Sequence, residues 1–548
     1  MILSFEFNYV SKNALLENFL DVICKDFGIV YKIGKENSIV NLQVEADEEK
    51  LKEFSDFISK RLPLSIFFKS TAVNVVDKFS VKEIEIPKCN LVLPFTPKVL
   101  NSNNPLENNE VGEKTYSDDS KIVFFENTDK IAYNSFEELY EKVAQILKNG
   151  KEVSFSTASG EFSLGVLNEN FKELGYKDFI IMPTDLSTIE KMAVVRENEI
   201  KSLASLEKPI IKFKVNSLFD AKGILPSKRV KVKLADEILV FKILSNLHKL
   251  GIDFVYKINK KESKYNLNIE KDYNKIPQIE ICVLENGEIL ILEGDGYSAD
   301  ILKQNLDKFD KNAYAQFASV MQEHNLFDLR VSCFYISRFH DDLIMHLSEK
   351  TGMLNLVTFP VIRDFSIIFE EIEKSNTGKK LLENYKKTFP EIFEKIENIK
   401  ISDELPDSIS TIWGIASVIL GISDDVKSGA NKVVELAEEF GGLKGPRIDY
   451  KLIEEESICN QFDMLKLIRS SMSFKLAGTD DTTLSFGMME ALAYFLSDMS
   501  DFCMNNLSAQ RVALCGSMFG VRRFAEIACK NIQPNIQIAL NRELPIDN

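Results

Sequence analysis

The chain has 548 residues, 45% hydrophobic and 27% charged, with 67 basic against 83 acidic residues and a net charge of −16. At about 150 residues per domain, roughly three or four domains are expected. The acidic balance argues against a nucleic-acid or anionic-membrane binder, whose footprint is a basic patch.

No apolar run reaches the roughly 18–20 residues of a membrane span. The N-terminal MILSFEFNYVSKN has no basic stretch followed by an apolar one, so no signal peptide is expected and the cytoplasm is the default compartment. The eight cysteines (Cys24, Cys89, Cys282, Cys333, Cys459, Cys503, Cys515 and Cys529) include no CxxC pair. That excludes a zinc ribbon or a ferredoxin-type cluster on local spacing. With four histidines in the chain, metal or acid–base chemistry that needs several has little to work with.

Residues 1–78 read as a small α/β unit. ILSFEF is a strand, and ALLENFLDVICKDFG has helical spacing with Gly28 as C-cap. A strand near IVYKIG and the alternating SIVNLQVEA follow. DEEKLKEFSDFISKRL is an amphipathic helix with Asp47 as N-cap, and FFKSTAVNVV closes the β-α-β-β-α-β order of a ferredoxin-like module. Residues 96–120 are polar and rich in Asn, Ser and Pro, a linker. SFEELYEKVAQILKNG is a capped helix ending at Gly150, EVSFSTASGEFSLGVL a strand–turn–strand, KPIIKFKV a buried-type strand, and LADEILVFKILSNLHKLG a helix closed by Gly251. A hairpin over Asn286-Gly287 follows. Helices then dominate until RVALCG, a strand meeting the helix VRRFAEIACKN, and a last strand, NIQIALN.

Several residue groups could carry chemistry. Cys515-Gly516-Ser517 stands at a strand–Gly–helix junction, where backbone N–H groups can hold phosphate; a tight turn with a buried cysteine is the plainer reading. His340, Asp341, Asp342 and His346 cluster, but the histidines lack the i, i+4 spacing that aligns two ligands on a helix. Lys222, Lys228, Arg229, Lys231 and Lys233 form the densest basic run, either a nucleotide or acidic-partner site or an edge strand guarded by outward lysines. Glu293-Gly294-Asp295-Gly296 could be a nucleotide-site turn after a strand; a hairpin or strand-end loop is the plainer reading. Trp413 sits on an apolar helix face that packs in a core.

The module order and a series of short segments resemble the HypF family, carbamoyltransferases that mature nickel–iron hydrogenases. VEADEEKLKEF resembles the late strand–helix of its acylphosphatase-like module, and LKNGKEVSFSTASGEFSLG the entry to its YrdC-like module. LASLEKPIIKFKV resembles its SPERPIVLL stretch, KGILP its GVMLP, FASVMQEHNL its IASVMAEHGL, and SISTIWGIASVILGI its SSAGRLFDAVAALLGL helix. RVALCGSMFG resembles the VALSGGVFQN turn, and ALNRELPIDN the closing strand.

The departures fall on the family's working residues. Its phosphate-binding arginine falls at Glu17, where a carboxylate would repel phosphate, and its water-orienting asparagine at Lys35. The glycines of that loop become Lys12-Asn13-Ala14-Leu15. The zinc-finger CxxC pairs are missing, with Cys89 and the polar linker in their place, and the basic RRPEKPFAVM segment is shortened to FKELGYKDFIIM. The HHHAH metal motif falls on Asn312-Ala313-Tyr314-Ala315-Gln316, the glycine loop on Tyr335 to His340, and the aspartate of GRLFDA on Gly414. The SGG turn becomes Cys515-Gly516-Ser517, and Asp547 is a surviving ligand-like residue.

The resemblance implies a multi-domain α/β fold: an acylphosphatase-like ferredoxin fold at 1–90, a linker at 91–120 in place of the zinc fingers, a YrdC-like α/β domain at 121–275, and an ASKHA/Kae1-like α/β domain at 276–548. It implies a hydrogenase maturation accessory protein that acts by binding hydrogenase structural subunits or HypE- and HypF-type maturation proteins, a pseudoenzyme with no cofactor. Nucleic acid and membrane are not expected as partners. The alternative is an active carbamoyltransferase using ATP and carbamoyl phosphate through a rebuilt site, for which Gly516, Ser517, Lys228 and Arg229 are the phosphate or nucleotide candidates.

Overall fold

The computed structural model describes residues 1–11, 14–36, 38–86, 122–269, 278–294, 299–453, 459–532, 534, 536–541 and 544–547. The expected linker, Cys89, Lys12-Asn13 and Asp295-Gly296 lie outside the described residues. The chain forms two compact units, Met1–Val283 with Glu293–Ser298, and Leu284–Leu292 with Ala299–Asn548.

The first unit begins with β1 (Ile2–Tyr9), β2 (Val30–Glu36), β3 (Ile39–Glu45) and β4 (Phe68–Val76), an antiparallel sheet in the order β2-β3-β1-β4. Helices Leu15–Phe27 and Glu48–Arg61 join its strands, which makes the module ferredoxin-like. Both helix ends are set locally: Asp47 accepts the Lys50 N–H at 2.9 Å, and Gly28, at φ 70°, donates to the Cys24 carbonyl. Phe19, Leu20, Ile23, Leu51, Phe54 and Ile58 are buried with Phe5 and Phe7 of the sheet.

The rest of this unit is a long mixed sheet. Its strands are β5 (Ile122–Glu126), β6 (Asp129–Ile131), β7 (Val153–Thr157), β8 (Gly160–Val166), β9 (Ile180–Pro183), β10 (Ala193–Val194), β11 (Ile210–Val215), β12 (Arg229–Val232), β13 (Phe254–Asn259), β14 (Tyr265–Ile269) and β15 (Ile279–Val283). The order runs β15-β11-β12-β9-β13-β8-β7-β14-β5-β6, with β10 also on β11. Helices Phe136–Lys148 and Ile238–Lys249 bury Leu139, Val143, Leu147, Leu239, Ile243 and Leu247 with Phe124, Phe155, Leu164 and Leu267.

Two expectations change here. KPIIKFKV is buried on one face only, since Lys212 and Lys214 are exposed between buried Ile211, Phe213 and Val215. The alternating lysines after it do not guard an edge, because β12 is paired on both sides, antiparallel to β11 and parallel to β9.

Glu207 ties this sheet to the ferredoxin-like module. It is 2% exposed and accepts from Tyr9 Oη at 3.0 Å, Ser65 Oγ at 2.6 Å and the Ile66 N–H at 3.1 Å.

The second unit includes the turn at Asn286-Gly287, where Gly287 has φ 86°, and all but the last two residues of β16 (Ile289–Gly294). Its sheet contains β17 (Val331–Tyr335), β18 (Leu343–Ser348), β19 (Gly352–Thr358), β20 (Leu452–Ile453), β21 (Asn460–Phe462), β22 (Arg511–Cys515) and β23 (Gln537–Leu540), in the order β20-β21-β19-β18-β17-β22-β23. β19, β18 and β17 are antiparallel neighbours, while β17, β22 and β23 run parallel. Helix Ile409–Ile419 is buried all round, which is why its sequence is apolar throughout. Its Trp413 donates to Tyr450 Oη at 2.7 Å. Among the described residues no helix is long and apolar enough to cross a membrane.

Candidate functional site

In the second unit the ends of β17 and β22 lie side by side, Tyr335 opposite Cys515. Gly516 follows with φ 103°, and a Cβ there would stand 2.3 Å from the Ile336 carbonyl oxygen. Only glycine lets the two chains close this far. The segment after it is a short 3-10 turn, Ser517–Gly520, and the α-helix starts later, at Arg522. The expected strand–Gly–helix junction is therefore a strand–Gly–3-10 turn. Ser517 is 6% exposed, and its Oγ accepts the Arg338 N–H at 2.8 Å.

Two carboxylates converge beneath this turn. Asp342 accepts the Ser337 N–H and the Ile409 N–H, each at 2.6 Å, which pins the β17–β18 loop to the start of helix Ile409–Ile419. Asp547 accepts from Tyr335 Oη at 2.8 Å and from Ser337 Oγ, while its buried Oδ1 has no hydrogen-bond partner. Burial pushes both carboxyls above their ordinary range; backbone and hydroxyl donors pull back, and Asp547 adds to the upward push on Asp342. A cleft of about 660 Å³ opens beside Asp342, lined in part by Asn312, His340, Arg363 and Asp407.

The histidine–aspartate group does not form one ligand set. His346 lies on β18 with its Nδ1 2.9 Å from Ser332 Oγ on β17, and burial lowers its pKa. Asp341 accepts the Asp407 N–H at 2.8 Å. Asn312-Ala313-Tyr314-Ala315-Gln316 opens helix Asn312–Glu323: Tyr314 Oη is 2.9 Å from Asn355 Nδ2, and Gln316 Oε1 accepts from Asn541 at 3.3 Å. Among the described residues no three His, Cys, Asp or Glu side chains are arranged to hold a metal.

Lys228 and Arg229 belong to the first unit, Gly516 and Ser517 to the second. Lys228 enters β12 with its carbonyl accepting the Val215 N–H at 2.8 Å, and the Arg229 N–H donates to Ser227 Oγ at 3.2 Å. Lys231 pairs with Glu280 at 2.7 Å, and Lys222 lies 5.0 Å from the Phe219 ring centroid. Lys233 turns into the interior, 1% exposed, and donates to Asp236 and Gln278.

Asp236 and Glu237 open a buried polar network that nothing local in the sequence marks. Asp236 also accepts from Ser159 Oγ at 2.6 Å; Glu237 accepts the Ser159 N–H at 2.6 Å and the Thr157 hydroxyl. The Thr157–Gly160 turn is thus tied down by two carboxylates from a segment 77–80 residues away. Lys208 and Lys257 face Asp236 electrostatically, yet burial drives their pKa values down to about 7 and about 8. LADEIL reads locally as a helix entry, which hides the roles of Asp236 and Glu237. Tyr335 and Ser337 are equally silent, because each is defined by a partner more than 200 residues on.

In the ferredoxin-like module Glu17 and Lys35 form a 2.8 Å ion pair, with the carboxylate 3% exposed. Lys35 also donates to the Ser11 carbonyl.

No protein-family model matches the sequence. Over 521 residues it is 25% identical to Protein HydE of Wolinella succinogenes, covering 92% of this chain and 91% of that one. The fold superimposes on a crystal structure of full-length HypF in its phosphate- and nucleotide-bound form with a TM-score of 0.62 at 12% identity, covering 100% of this chain and 96% of that one. T. kodakarensis HypF gives 0.63 at 13% identity with the same coverage. The chain is thus similar in sequence to Protein HydE over nine-tenths of its length, and its fold is that of full-length HypF.

Proposed function

We propose that the protein is a nickel–iron hydrogenase maturation accessory factor that works by binding other proteins and not by carbamoyl transfer. The observation that carries this reading is one repeated arrangement. At the phosphate-site positions that the resemblance gives for the first and third modules, and at the Thr157–Gly160 turn of the second, a carboxylate of the chain itself takes up the donors. Glu17 takes Lys35 in the first module, Asp236 and Glu237 take the Thr157–Gly160 turn in the second, and Asp547 takes Ser337 and Tyr335 beside Ser517 in the third.

A phosphate brought to any of these places finds the donors already taken up by carboxylates, two of which, Glu17 and Asp236, are themselves paired with a lysine. The residues present therefore do not fit ATP or carbamoyl phosphate, and Asn312–Gln316 does not offer the imidazoles of a metal pair. The partners expected on this reading are hydrogenase structural subunits or HypE- and HypF-type proteins.

A pull-down with the full chain as bait tests it. Recovery of a hydrogenase subunit or maturation protein, with no heat of binding for ATP or carbamoyl phosphate by calorimetry, is the expected outcome. Tight nucleotide binding with turnover would establish the alternative, a transferase with a rebuilt site.

A further inference from the structure

The β11–β12 pair sets cations directly opposite cations. Lys212 faces Lys231 and Lys214 faces Arg229 in the antiparallel register. Directly opposed residues share one face, with Cβ atoms about 4.5–5.5 Å apart, and so do residues two apart along a strand. The four therefore form a two-by-two block on one side of the sheet, while Ile211, Phe213, Val230 and Val232 are buried between them. Like charges in this relation destabilise a sheet. Edge protection does not explain them, because β12 is an interior strand.

The block continues into a cavity of about 470 Å³, lined by Lys172, Lys177, Lys212, Arg229 and Lys231 with Asp178. Lys172 and Lys177 reach it from a separate stretch around the Phe171–Leu174 turn, so positive charge converges from three parts of the chain. Lys231 already pairs with Glu280, and Arg229 also has a partner of its own. This basic island sits on a protein of net charge −16.

We infer that the exposed face of β11 and β12 is a docking surface for an acidic, extended segment of a partner protein. Charge complementarity names the sign. The spacing names the shape: rows about 6.5–7 Å apart along the strands match side chains on one face of an extended peptide, which repeat every second residue. Lysine dominates the set, and its single flexible point charge suits several separate carboxylates better than the planar fork that grips one phosphate. The inference deepens the binding reading above by giving the partner a chemistry. Its test uses no hydrogenase component, so either can fail alone.

The probe is a fluorescein-labelled peptide of alternating glutamate and alanine, titrated with the full-length protein by anisotropy at low and at physiological salt. Wild type should bind, and more weakly at the higher salt. Lys212→Glu/Lys214→Glu should weaken binding about tenfold or more. That variant places carboxylates opposite Lys231 and Arg229, so it should melt no lower than wild type. Lys172→Glu/Lys177→Glu, changed outside the strands, should weaken binding in the same direction. Lys379→Glu/Lys380→Glu, on the exposed side of a helix in the second unit, should leave it unchanged. Equal binding by wild type and both island variants, an equal loss in the helix variant, or uptake of pyrophosphate with no uptake of peptide would overturn the inference.

Discussion

Removing the Asp236 carboxylate should be among the most damaging single changes in the first unit. The Lys233–Asp236 pair is 1% and 2% exposed on its two side chains. Asp236→Ala leaves the Lys233 ammonium buried with Gln278 as its remaining hydrogen-bonded side chain. Removing one partner of a buried pair costs about 3–5 kcal/mol. The hydrogen bonds from Ser159 at 2.6 Å and Gln278 at 3.1 Å go to the same carboxylate and are part of that figure. At about 2–4 °C per kcal/mol, the first unit's melting transition should fall by about 6–20 °C.

The double variant Lys233→Met/Asp236→Leu removes both charges together. It should be hurt less than the sum of the single changes, with a coupling of about 1–3 kcal/mol. pH adds a second reading. Burial pushes the Asp236 carboxyl up, but Lys233, Lys257 and Ser159 outweigh it and hold it below the ordinary carboxylate range. A depressed carboxyl stabilises the fold fully above the unfolded value of about 3.9 and loses that contribution as pH falls further. Wild type and Asp236→Ala should therefore converge in acid. Calorimetric scans of the four proteins decide it. An Asp236→Ala loss under about 1 kcal/mol, or strictly additive single changes, would refute the reasoning.

Gly516→Ala combines a left-handed backbone with a Cβ 2.3 Å from the Ile336 carbonyl oxygen, and should cost more than about 2 kcal/mol in urea unfolding of the second unit. Lys35→Met should destabilise by about 3 kcal/mol because it strands the Glu17 carboxylate, whereas Lys35→Met/Glu17→Leu should recover much of the loss. Lys208 sheds its proton at about 7 in the folded protein but near 10.4 when unfolded, so the unfolded chain holds more protons in between. Wild type should accordingly gain stability over Lys208→Met as pH rises from about 7 towards 10, by no more than about 1.4 kcal/mol per pH unit. Thermal melts across that window check the sign.

What the sequence makes legible is what periodicity and capping encode. Helices Leu15–Phe27, Glu48–Arg61 and Phe136–Lys148 begin and end at or beside Gly28, Asp47, Ser135 and Gly150, each a residue type with a local reason to be there. The tight turn at Gly516 is readable for the same cause. The placement of β12 is not readable, because alternation in RVKVK (229–233) reports one buried face and one exposed face but says nothing of what pairs on either side. The Asp236–Ser159 and Asp547–Tyr335 contacts join residues 77 and 212 positions apart, and no local pattern can announce them. The resemblance to HypF points to which residues differ; the structure adds that carboxylates of the chain take up the donors at two of those positions, Glu17 with Lys35 and Asp547 with Tyr335 and Ser337.

The central claim is that these modules no longer process a phosphate-bearing substrate. Its most direct test is pyrophosphate release from ATP in the presence of carbamoyl phosphate and a HypF acceptor peptide, using protein whose melting curve shows both units folded. The account predicts release no faster than in the absence of protein. Turnover dependent on carbamoyl phosphate, and lost on Ser517→Ala, would contradict it.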